Sequence, residues 1–87
     1  MPTKRKRLNL EIVRLNIAEA VEQLQQLEQR ASTGELHEEG LQVGLCHAYR
    51  HLNVAWNARC VRTREFANLS DKQFADWSRY PSDIEEL

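Results

Sequence analysis

Eighty-seven residues, 41% apolar and 29% charged, describe one globular domain and not a disordered chain. A formal net charge of −1 excludes a generally basic nucleic-acid binder. With three Gly and two Pro, turns are few and the elements between them must be long.

The charge is unevenly spread. Residues 1–7 carry four positive charges and no negative one, whereas residues 68–87 carry two positive and five negative. We read 1–8 as a basic, flexible N-terminal tail, 9–80 as a single helical domain and 81–87 as an acidic C-terminal tail. No apolar segment follows the N-terminal charges and no long uncharged apolar run occurs. Neither a signal peptide nor a membrane span is expected, and the chain is read as cytoplasmic.

The first predicted helix covers about residues 10–31. Leu10, Val13, Ile17, Ala20, Leu24, Leu27 and Ala31 follow at alternating spacings of three and four, an unbroken heptad series. Asn9 is placed to cap its start. Ile12, Leu15 and Val21 widen the stripe beyond a two-stranded seam. Ser32-Thr33-Gly34-Glu35 breaks the pattern. Gly34 suits a positive φ, and Ser32 and Glu35 have capping-box spacing for a second helix. So short a connection makes the helices antiparallel.

From Leu36 to Ala67 there is no Pro, which predicts a second helix over about 36–67. Leu41, Leu45, Ala48, Leu52, Ala55 and Phe66 share an arc, bordered by Tyr49 and Trp56. Val43, Val54 and Val61 fall on the opposite side. Gly40 and Gly44, four apart, would let the first helix come close. Ser70 and Gln73 form another capping box, opening a third helix over about 71–79 that Pro81 ends. The expected fold is all-α: an antiparallel helical hairpin with a short C-terminal helix across its open end, dimerising into a helical bundle. Leu24, Leu45, Leu52, Trp56, Phe66, Phe74 and Trp77 are the expected core. The architecture resembles the small hairpins that dimerise into four-helix bundles, among them the RNA-binding plasmid regulator Rop; no residue motif accompanies it, and no functional residue is carried over.

Chemistry is sparse. Cys46 and Cys60, about 21 Å apart on one helix, cannot bridge and are expected as thiols. His47 and His51 are four apart and can reach one metal ion, but no carboxylate or thiol completes a set; they are read as solvent-exposed, with no metal and no cofactor. No Gly-rich phosphate loop or nucleophile–base pair occurs, so no enzyme is expected.

Two surfaces remain. Cys46, Arg50, Asn53, Asn57, Cys60 and Arg64 line one flank of the second helix beside Tyr49 and Trp56. Arg, Asn and aromatic side chains together suit recognition. The leading expectation is therefore a non-catalytic interaction or regulatory protein that binds a protein partner through Tyr49, Arg50, Asn53, Trp56, Asn57 and Arg64. The alternative is a nucleic-acid-associated regulator that uses Lys4, Arg5, Lys6 and Arg7 on phosphates.

Overall fold

The computed structural model describes residues 7–85. Four helices follow in order: α1 (Leu10–Thr33), α2 (Glu38–Asn57), α3 (Thr63–Ala67) and α4 (Asp71–Trp77). No strand occurs among the described residues. The long pair α1 and α2 packs side by side along its length, and α3 and α4 close the open end.

Local chemistry sets most boundaries. Asn9 caps α1 through its side-chain oxygen, which accepts from the Ile12 N–H at 3.3 Å. The helix ends at Gly34, whose φ is +75°. There the Glu35 N–H donates to the Arg30 carbonyl and the Gly34 N–H to the Ala31 carbonyl, the paired bonds of a Schellman ending. Ser32 does not cap α2. It sits in the last turn of α1, and its hydroxyl donates back to the Gln29 carbonyl. His37 takes the cap position, with Glu38 and Glu39 at the positive end of the α2 dipole. Ser70 caps α4 as expected, accepting from Gln73 N–H at 3.1 Å.

The long second helix predicted over 36–67 is corrected to two shorter ones. α2 stops at Asn57 although no Gly or Pro follows. The cause lies across the fold. Asn9 donates from its backbone N–H to the Arg59 carbonyl, and from its side-chain amide to the Val61 carbonyl at 2.8 Å. Those carbonyls serve the start of α1 in place of a further helical turn. α4 likewise ends two residues early, where Ser78 turns its N–H and its hydroxyl onto the Phe74 carbonyl.

The interhelical seam also differs from the heptad stripe. On α1 the buried residues are Ile12, Asn16, Ala20 and Leu27. On α2 they are Gly44, Ala48, Val54 and Ala55. At Gly44 the Leu27 side chain lies against the α2 backbone: a Cβ there would stand 2.5 Å from Leu27 Cδ2. Ile12, Val54 and Ala58 form a buried cluster under Val61, Phe66 and Trp77. Val54 is thus core, and Val61 half-buried, contrary to the sequence reading; Val43 is 69% exposed. Of the expected core, Leu45, Trp56, Phe66 and Trp77 are half-buried, whereas Leu24 (42%), Leu52 (43%) and Phe74 (39%) are exposed.

The two glycines therefore separate. Gly44→Val is expected to lower stability by about 1–3 kcal/mol through overpacking against Leu27. Gly40→Ala meets only Leu36 Cδ1 at 3.7 Å and is expected to raise it by about 0.5 kcal/mol through backbone entropy. Urea melts that gave the same change for both would refute the close approach at Gly44.

Candidate functional site

The flank of α2 proposed for recognition is largely engaged within the chain. Asn53 donates to the Ser78 carbonyl at 2.9 Å. Asn57 donates to the Trp77 carbonyl at 2.8 Å and the Arg79 carbonyl at 3.1 Å. The Trp56 indole N–H donates to Asp83 Oδ1 at 2.9 Å. Arg59 lies over the Trp56 ring, 3.9 Å from its centroid, and reaches Asp83 Oδ2 at 3.6 Å. The Trp56 hydrogen bond, helped by the Arg59 charge, holds the Asp83 carboxyl below its ordinary value. Residues 78–83 thus form a strap across α2, and Pro81 within it is buried. The acidic tail expected from residue 81 is thus docked on α2 as far as Asp83.

Tyr49 and Arg50 face solvent. Because α2 ends at Asn57, Cys60 and Arg64 do not continue the stripe; Arg64 is exposed on α3. Cys46 and Cys60 form no disulfide. Of the basic run, Lys4, Arg5 and Lys6 lie outside the described residues, and Arg7 is exposed.

A different surface emerges from the burial pattern. On α1, Ile17, Val21 and Leu24 fall about a quarter turn from the seam at 3.6 residues per turn. On α2, Leu41, Leu45 and Leu52 are offset in the same rotational sense. Since α2 runs antiparallel, both offsets lead to the same side of the hairpin. Five of these six are at least 39% exposed, and Leu45 is half-buried. The sequence signal for this face was the width of the α1 stripe, more than one partner helix can cover.

The opposite side carries a polar cluster. Asn16, 5% exposed, donates to the Ile12 carbonyl at 2.9 Å. Its Oδ1 lies 3.0 Å from His51 Nδ1. An amide oxygen only accepts, so His51 carries its proton on Nδ1 and leaves Nε2 as an acceptor. His47 Nε2 stands 3.1 Å from it and donates. His47 is exposed, but His51 is half-buried, which corrects the solvent-exposed reading. Burial, then the His47 and Arg50 charges, lower the His51 pKa against the opposing effect of Glu19.

No protein-family model, curated protein or solved structure matches this chain. No helix among the described residues is long and apolar enough to cross a membrane.

Two outcomes are expected. Asn57→Ala removes both bonds to the strap and should cost about 1–2 kcal/mol, with faster tryptic cleavage after Arg79; wild-type stability and cleavage would mean the strap is not held there. The second concerns acid. The unfolded chain protonates His51 near its ordinary pKa, while the fold resists, so stability should decline as pH falls below about 6.5 and on through the lowered folded value. Asp83 contributes only in the lower carboxylate range. Thermal melts at pH 7.5 and 5.5 in chelator-treated buffer check this, and the difference should shrink in His51→Gln.

Proposed function

We propose that this chain is a non-catalytic interaction protein that works as a self-associated helical bundle, a second copy covering the Ile17/Leu24/Leu45/Leu52 face. The observation that carries this reading is the distribution of large apolar side chains. Among the described residues only Ile12 and Val54 are large and fully buried, with Leu27 at 6%, whereas Ile17, Val21, Leu24, Leu41 and Leu52 lie exposed on one side. A second copy presents the same stripe across a two-fold axis, and each helix then has two neighbours, as in a four-helix bundle.

The surface area supports the same reading. The 10.2 kDa chain exposes 7534 Å², where a compact monomer of that mass shows about 5300 Å². A net charge of −1 offers little repulsion between copies. In such an assembly Tyr49 and Arg50, which the C-terminal strap leaves outside, are the side chains of the α2 flank available to a protein partner.

Light scattering and sedimentation equilibrium test the proposal. The wild type is expected at twice its chain mass, and Leu24→Glu/Leu45→Glu at the mass of one chain. Both positions are solvent-accessible in the single chain, so helical circular dichroism should persist in the double variant. A wild type that remains a single chain at high micromolar concentration rules the assembly out.

A further inference from the structure

We propose that His47 and His51 form a binding site for a divalent late transition-metal ion of the zinc class, with buried Asn16 as the positioning residue behind His51. The two rings occupy successive turns of α2, with centroids 4.9 Å apart and planes inclined by 24°. Their Nε2 atoms are only 3.1 Å apart. The rings therefore lean together at their Nε2 edges, the edges that bind metal. Two nitrogens held at 2.0–2.1 Å by a tetrahedral zinc ion stand about 3.3 Å from each other. The present separation is within a few tenths of an ångström of that spacing.

The protonation states suit this role. His51 donates Nδ1–H to Asn16 Oδ1, which fixes the tautomer that leaves Nε2 free. Asn16 cannot turn its amide over, because its own N–H₂ group is bound to the Ile12 carbonyl within the seam. A metal-binding imidazole whose second nitrogen donates to a fixed oxygen is the usual outer arrangement of such sites. His47, now donating from Nε2, moves that proton to its exposed Nδ1 when the ion binds. That change of tautomer leaves both Nε2 atoms free for the ion.

Among the described residues no group of three His, Cys, Asp or Glu side chains converges on one point. The ion is thus held by two protein nitrogens, and its remaining positions go to water. The cluster lies across the seam from the apolar face, so this site and self-association stand or fall separately.

Calorimetric titration of the full chain with zinc chloride tests it. One ion per chain is expected, with His47→Ala weakening binding at least tenfold. His47 is exposed, so that variant should keep the wild-type helical spectrum. Asn16→Ala is expected to weaken binding by roughly tenfold, and nitrogen NMR of its imidazoles should show His51 no longer confined to the Nδ1–H form. In the wild type, both Nε2 resonances should move on zinc addition. No heat of binding, or affinity unchanged in His47→Ala because the ion sits on the thiols, would overturn the proposal.

Discussion

Leu27 and Gly44 lie so close that no side chain fits between them. Ala48, Ala55 and Ala58 continue the same economy of volume along the seam. The small residues of α2 make room for Leu27 of α1, and the seam buries no other leucine. The remaining leucines of the face are displaced to one side as a stripe, and the polar cluster lies on the other. A seam lined by glycine and alanine buries little apolar volume. Each large side chain fully buried is worth roughly 1.5–3 kcal/mol, and ordering the backbone costs roughly 1–2 kcal/mol per residue. With Ile12 and Val54 the only large side chains fully enclosed among the described residues, a single hairpin has little surplus stability. Cover for the exposed stripe is the direct way to gain more.

Asparagine supplies part of what bulk does not. Asn9 joins the start of α1 to the turn after α2, fifty-two residues away in sequence. Asn53 and Asn57 hold the strap that follows α4, and Asn16 links the seam to His51. Each has a short, two-faced amide that reaches groups too far for backbone pairing. No buried side-chain nitrogen or oxygen among the described residues lacks a partner. Hydrogen bonds of this kind add about 1 kcal/mol each, but leaving one unmade costs more. They specify where the short helices dock more than they stabilise them.

The two sides of the hairpin thus differ in chemistry. One presents aliphatic side chains suited to another helical surface. The other holds two imidazoles, one of them, His51, oriented from behind by the buried amide of Asn16. The strap covers much of the flank that composition alone marks for recognition. Arg, Asn and aromatic residues at helical spacing serve an intramolecular contact as well as an external one, because backbone carbonyls of the same chain accept the same hydrogen bonds.

The helical period, the lone Asn9 and Ser70 caps and the positive-φ Gly34 are local features, and the sequence by itself determined them: an all-helical chain, an antiparallel hairpin and a short helix over its end. Bond geometry within four residues decides such things. It did not determine which arc of α1 meets α2, since a stripe wide enough for two neighbours does not say which half takes which. Nor did it determine the end of α2, where carbonyls with no local breaker are taken by Asn9. The pairing of Asn16 with His51 was likewise invisible, their thirty-five-residue separation being bridged only when the hairpin closes. Each of these is a choice between partners that are distant in sequence, and packing distances make that choice only once both helices are in place.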